Sequence, residues 1–206
     1  MGLGVDLKEV YEDVGVALSK LSGGAFVSTC YGKVALNRQV TKPFIREFFQ
    51  EVALPYDTAI LPGDVVQQIV SEEVFLVMNK TPRIFENEII DYGCVFYKCN
   101  VSGELVRPSA EETWDSNYKQ IQGWTEVEPI VYGLLTEALY GHDLDGDKEL
   151  GQIGLENHEL YVSHNAGVQI LDRYVAVSGE EWHKVETIKK RRYNNVDVCE
   201  LAEDTR

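Results

Sequence analysis

The spacing of hydrophobic residues changes along the chain, and each change predicts a different element. Leu7, Val10, Tyr11, Val14, Leu18 and Leu21 recur at helical spacing, which predicts an amphipathic helix over Val5–Leu21. Asp6 and Glu9 there have the spacing of a capping box, and Ser22-Gly23-Gly24 is its expected stop. Ala25–Ala35 reads as strand, and Pro43–Glu51 as a second, shorter helix with Thr41 as N-cap, although its Phe44–Phe49 run also fits a strand. From Leu61 the texture turns to β, with strands expected at Val65–Val70, Val74–Asn79, Glu88–Cys99 (a long strand or a hairpin bent at Gly93) and Val101–Arg107. Thr81–Asn87 reads as a connection between the second and third of these.

Pro108–Thr125 shows no clear period and places Trp114, Tyr118 and Trp124 among polar residues, as in a long functional loop or a segment ordered by a partner. In Glu126–Tyr140 the residues Ile130, Leu134, Ala138 and Leu139 share a helical face. Pro129 suits the first turn of that helix, and Glu126 and Glu128 complement its dipole. Strands return at Leu160–Ser163, Val168–Leu171 and Tyr174–Val177. The chain then closes on Trp182–Ile188 and Val196–Leu201, around the polar turn Lys189–Asn195. An offset of 108 residues places Val77 on Val185, Arg83 on Arg191, Phe85 on Tyr193, Asn87 on Asn195 and Ile90 on Val198. That echo implies two related hairpin modules.

The expected fold is therefore α+β and β-rich: two small β-hairpin or barrel-like modules with an N-terminal helix and a central connecting helix. The first module would occupy residues 1–107. The aromatic loop, connecting helix and second module would fill 108–206, unless the whole forms one compact domain.

Composition narrows what such a protein does. A chain of 206 residues with net charge −15 repels phosphate backbones, so specific nucleic-acid binding is not expected. No apolar run approaches the roughly 20 residues that cross a bilayer, and the first residues lack the pattern of a secretory signal. Cys30, Cys94, Cys99 and Cys199 form no Cys-x-x-Cys pair and read as reduced thiols.

Asp143, Asp145 and Asp147 alternate as calcium ligands do, but Lys148 and Gly154 stand where the cage wants Gly and a bidentate Glu. A solvated acidic loop is the simpler reading, and no metal or other cofactor is expected. A calcium-modulated protein-binding domain is the alternative from another class. His142, His164 and His183 read as surface or turn residues, and no local motif asks for catalysis, so an enzyme is not expected.

Lys189-Lys190-Arg191-Arg192 is a basic turn on an acidic protein, suited to an acidic neighbour in a head-to-tail ring of identical subunits. The candidate interface is this turn with Tyr193, the closing strand with Glu203, Asp204 and Arg206, and the aromatic pair Trp114 and Trp124.

Arg191-Arg192-Tyr193, Val196-Asp197-Val198 and Glu200-Leu201-Ala202-Glu203-Asp204-Thr205-Arg206 resemble the ending of tailed-bacteriophage head–tail joining proteins. Many of these finish on a strand followed by Glu-Asp-Thr-Arg. Trp182–Ile188 is similar to the strand before that ending, and Val5–Tyr11 and Leu76–Pro82 resemble segments of larger neck or connector proteins. The short head-closure proteins of this class are near half this length, so the extra helices and first module are departures. The resemblance implies a virion structural protein, assembled in the host cytoplasm. It would form a homomeric ring, six- or twelvefold, between portal and tail or tail-terminator proteins. DNA would pass through its channel without specific binding, and no membrane would be involved. A tail terminator or another tail or collar component is the alternative within the virion.

Overall fold

The computed structural model describes residues 2–36, 48–114, 120–137, 158–176, 182–190 and 193–204. They are mostly β. One α-helix, α1 (Leu3–Val14), precedes twelve strands in two closed barrels. The first barrel uses β1 (Val16–Ser22), β2 (Ala25–Leu36), β3 (Phe49–Pro55), β4 (Val65–Gln68), β5 (Val74–Phe85) and β6 (Glu88–Lys98). The second uses β7 (Val101–Trp114), β8 (Gln120–Glu137), β9 (His158–Ser163), β10 (Arg173–Ala176), β11 (Trp182–Ile188) and β12 (Val196–Glu203). Contacts divide the chain into Met1–Asn100 with Tyr193–Val196, and Val101–Arg192 with Asp197–Arg206.

This overturns the α+β expectation: the described residues are mostly strand, with α1 as the one α-helix among them, and the expected connecting helix is strand as far as Glu137. Glu126–Glu137 lies in β8, where Val127, Val131 and Leu135 pack into the barrel core, their even spacing keeping them on one side of the strand. Ile130, assigned to the helix's buried face, is half exposed. Pro129 sits where the β7–β8 register slips, between the pairs Leu105–Glu128 and Gly103–Val131, so the ladder loses little by its missing N–H. The expected aromatic loop is likewise strand on both sides, with Pro108 opposite Trp124 and Trp114 opposite Gln120.

The first helix is also shorter than its periodicity suggested. It ends at Val14 because Gly15 tucks against the last turn, where a Cβ would lie 2.3 Å from the Tyr11 carbonyl oxygen. It starts at Leu3 with Gly2 as N-cap and no side-chain cap, so the Asp6–Glu9 box does not form. Gly23 and Gly24, at φ of 57° and 81°, make the tight turn of the β1–β2 hairpin rather than a helix stop. Thr41 and Pro43 of the second expected helix lie outside the described residues, and Phe49–Glu51 begin β3. Thr81–Phe85 continues β5 instead of forming a connection.

Both barrels have the same cyclic order. The first runs β1-β2-β3-β6-β5-β4, and the second follows the same path as β7-β8-β9-β12-β11-β10. The offset of 108 carries through β4–β5 into β10–β11, since Val65 faces Leu76 as Arg173 faces Lys184. Val77 and Val185 are both fully buried, and the register slips just after each, at Met78 and Glu186. The two-residue hairpin turns also match: Phe85 faces Glu88 and Tyr193 faces Val196, with Asn87 and Asn195 both at positive φ. In the second arm the echo slips by three residues, so the partner of Val77 is Phe96 and that of Val185 is Leu201.

Each barrel closes over its own hydrophobic core. Leu18, Leu54, Val66, Phe75 and Phe96 fill the first, and Leu105, Leu160, Tyr174, Val185 and Leu201 fill the second. Closure leaves no free sheet edge in either ladder.

Candidate interface surfaces

A buried aspartate ties the turn before β4 and its counterpart before β10. In the first, Asp64 accepts a hydrogen bond from the Leu61 N–H at 2.7 Å and pairs with the Lys20 ammonium at 2.8 Å. In the second, Asp172 accepts the Gln169 N–H at 2.8 Å and both Nε and Nη2 of Arg107, each at 2.8 Å. The aspartate pair, its turn N–H and the strand N–H donated back by Val77 or Val185 all keep the 108 spacing. These are turn-locking carboxylates, and the side-chain hydrogen bond to Asp172 is what raises the Arg107 pKa.

The residues singled out on the closing stretch divide into distinct settings. Lys189 is held at home: its Nζ lies 2.5 Å from Glu200 and 2.9 Å from Glu159, which raises its pKa, while the same contact and a Thr187 hydroxyl lower that of Glu200. Lys190 is exposed, and Arg191, Arg192 and Arg206 lie outside the described residues. Tyr193 is half-buried ahead of the Asn194-Asn195 turn, and Glu203 is exposed at the end of β12.

Asp204 is buried instead of displayed. It accepts a 2.7 Å hydrogen bond from Nε of Arg173, and the same guanidinium stacks 3.8 Å over the Trp124 ring. Two residues chosen separately, Trp124 and Asp204, are thus brought together by a third, Arg173, that sequence reading missed. Arg173 is itself buried, so the cluster fastens the end of β12 to the barrel. Trp114 has its backbone in β7.

Asp143, Asp145 and Asp147 lie outside the described residues, and among the described residues no cluster of three or more His, Cys, Asp or Glu side chains could hold a metal ion. His183, expected near the surface, is buried with its ring 5.2 Å from that of His158, because it occupies the β11 position that Phe75 fills in β5. His164 is exposed and reaches the buried Asp197 at 3.0 Å, and His142 is outside the described residues. All four cysteines are free thiols. Burial pushes Cys94, Cys99 and Cys199 up to about 12, far from a reactive thiolate.

The surface that sequence reading did not anticipate belongs to the first unit. Helix α1 lies across β2, β3 and β6 and buries Tyr11, whose hydroxyl donates to Asp91 at 2.7 Å. Arg83 donates to the same carboxylate oxygen at 2.5 Å. Burial first, then the Asp91 hydrogen bond, pushes the Tyr11 phenol up to about 12. Beside this knot a groove of about 640 Å³ opens between α1 and the barrel wall, with Leu7, Val10, Lys33, Val52, Asn79 and Arg83 among its lining. A smaller cavity of about 240 Å³ lies at Lys8, Cys30, Asp57 and Thr58.

Apolar groups are displayed nearby. Leu3, Val10 and Val14 form an exposed stripe on α1, and Ile84, Phe85 and Ile89 stand exposed at the tip of the β5–β6 hairpin. Among the described residues no helix is long and apolar enough to cross a membrane. Searches for a matching family model, curated protein or solved structure found none.

Proposed function

We propose that this chain is a structural protein of a tailed-phage virion, forming a homomeric ring in the neck between portal and tail that lines or seals the DNA channel. The observation that carries the reading is the way apolar side chains are displayed. Two closed barrels keep their ladders satisfied, yet the first unit exposes Ile84, Phe85 and Ile89 at the end of a hairpin and Val10 and Val14 on a surface helix. Scattered single exposures need no explanation, but groups gathered on an arm and a helix stripe are what a protein interface uses. Because closed barrels offer no edge for strand addition, association would run through such arms and faces. The resemblance of the closing stretch to head–tail joining proteins supplies the particle. The net charge of −15 supplies a surface along which DNA slides without adhering.

The test is assembly. Light scattering on purified protein and negative-stain images should give a six- or twelvefold ring that co-purifies with portal or tail proteins and occurs in virions. A strictly monomeric chain, absent from particles and indifferent to both neighbours, overturns the reading.

A further inference from the structure

Besides Met1–Asn100, the first unit holds four residues from late in the chain, Tyr193–Val196, the turn between β11 and β12. Within that unit they are seated on the turn before β4. A Cβ on Gly63 would lie 2.2 Å from the Asn195 carbonyl oxygen and 2.6 Å from its Cβ, so only glycine admits the approach. Gly63 and Val196 are buried there, and Pro62 and Tyr193 are half-buried.

The 108 spacing supplies a second tip and a second turn, and in these the burial is reversed. Phe85–Glu88 matches Tyr193–Val196, with the same cross-strand pair and positive φ at Asn87 and Asn195. Gln169–Asp172 matches Leu61–Asp64, each aspartate accepting the N–H three residues back. On the second tip Ile84 is 64% and Phe85 52% exposed, with Ile89 cross-strand from Ile84. On the second turn Ile170 is 60% and Leu171 50% exposed. Leu171 keeps the positive φ of Gly63, 74° against 87°, a conformation that strains a bulky residue. Such strain gathers at functional contacts, and here it displays an apolar side chain beside another.

We propose that the β5–β6 tip of one copy of this chain seats on the Gln169–Asp172 turn of the next, Ile84, Phe85 and Ile89 against Ile170 and Leu171. The contact repeats between copies the tip-on-turn join already made within the first unit, and that likeness is what commits it to a second copy. It differs in one respect. Leu171 bars the backbone approach that Gly63 admits, so apolar side chains carry the join. Arg107 on the turn is already bound to Asp172, and Glu86 and Glu88 stay exposed beside the tip. The inference rests on the ring reading above and names its contact. Tip and turn belong to different units, so the contact is heterologous, the kind by which rings close.

Experiments on the full chain decide it. Phe85→Glu should raise the concentration for half-assembly at least about 30-fold, the loss of one interface hot spot, with an unchanged circular dichroism spectrum. Leu171→Gly relieves the strained backbone, so it should weaken assembly comparably with no loss of fold. Added salt should strengthen wild-type assembly, because it screens copies of charge −15 from one another and leaves an apolar contact intact. Phe85→Cys chains mixed with Leu171→Cys chains should form inter-chain disulfides that neither variant forms alone. Cross-linking within Phe85→Cys alone would mean that tips meet tips, and would overturn the proposal. Rings that persist in Phe85→Glu and Leu171→Gly without mixed cross-links would also overturn it, leaving the ring reading intact. If those rings then lose portal or tail proteins, the patch belongs to a neighbour. A wild-type chain that is monomeric at every concentration removes both readings.

Discussion

The two barrels share a path, a bulge position and a buried aspartate, yet their mouths are filled differently. Matching β4 to β10 and following the ladder into the first strand of each barrel aligns Leu18 with Gly103 and Lys20 with Leu105. In the first barrel Leu18 packs beside Val66, and Lys20, one inward position further on, reaches Asp64. In the second, Tyr174 replaces Val66, glycine replaces Leu18 to make room for the ring, and the cation moves one more inward position along, to Arg107. The frame tolerates exchange of volume and charge between neighbouring strands provided their sum is kept, as expected of close-packed interiors. What is fixed is the carboxylate that ties the turn before β4 or β10.

The largest expected effect comes from placing a side chain where the second barrel has only glycine. A Cβ on Gly103 would lie 2.4 Å from the Val175 carbonyl oxygen and 2.7 Å from the Tyr174 ring. Gly103→Ala should therefore cost about 3 kcal/mol or more. All three tryptophans, Trp114, Trp124 and Trp182, lie in the second unit, so their fluorescence follows that unit's unfolding. Its transition should move sharply in Gly103→Ala and hold still in Leu18→Ala, a cavity substitution worth about 3 kcal/mol in the other barrel. In a Tyr174→Val background the Gly103→Ala cost should shrink, leaving only the backbone part. Equal costs in both backgrounds would mean the ring and the glycine are not a compensating pair.

Cations come next. Arg107→Ala strands a fully buried Asp172 with one turn N–H, and because the arginine is itself a third exposed the expected cost is about 2–3 kcal/mol. Lys20→Ala leaves a slightly less buried Asp64 and removes a single contact, for about 1 kcal/mol. Urea denaturation of the two variants should rank them in that order. A reversed order would say that bidentate geometry at Asp172 is not what distinguishes the mouths.

Much of this frame was visible in the chain and some of it could not be. The 108 spacing shows in Val77 and Val185 or Asn87 and Asn195 because matched turns and bulges need matched residues. The helix–strand errors arose where two periods overlap. Leu18 and Leu21 continue the spacing of Leu7 and Val14, and only the approach of Gly15 to the Tyr11 carbonyl ends the helix. In β8 the apolar residues crowd into Ile130–Leu135, with Val127 before them; Ile130 and Leu134, like Val127 and Val131, are four apart, a spacing that fits a helical face and one side of a strand alike. Arg173 between Trp124 and Asp204, and Tyr11 with Arg83 on Asp91, join residues far apart in the chain, and no local spacing signals them.

The smallest expected effect probes a likeness instead of a difference. Cys94 and Cys199 occupy equivalent core positions, opposite Lys80 in one barrel and Ile188 in the other, and burial raises both to about 12. A thiol raised in the fold favours its neutral form there, so its contribution to stability is present below the unfolded value near 9.0 and is lost as pH climbs from there through about 12. Tyr11 adds the same sign in the first barrel alone, between its ordinary 10.0 and about 12. Both barrels should weaken above pH 9, the first unit more steeply because burial raises Cys30 and Cys99 there as well as Cys94, and its lead should widen above pH 10. At pH 8 neither thiol should react with iodoacetamide until its barrel unfolds, so labelling with peptide mapping gives each unit its own clock. Labelling of Cys199 at the rate of a free thiol in native protein, with Cys94 silent, would show that the second core opens on its own and that the two barrels are alike in path but not in closure.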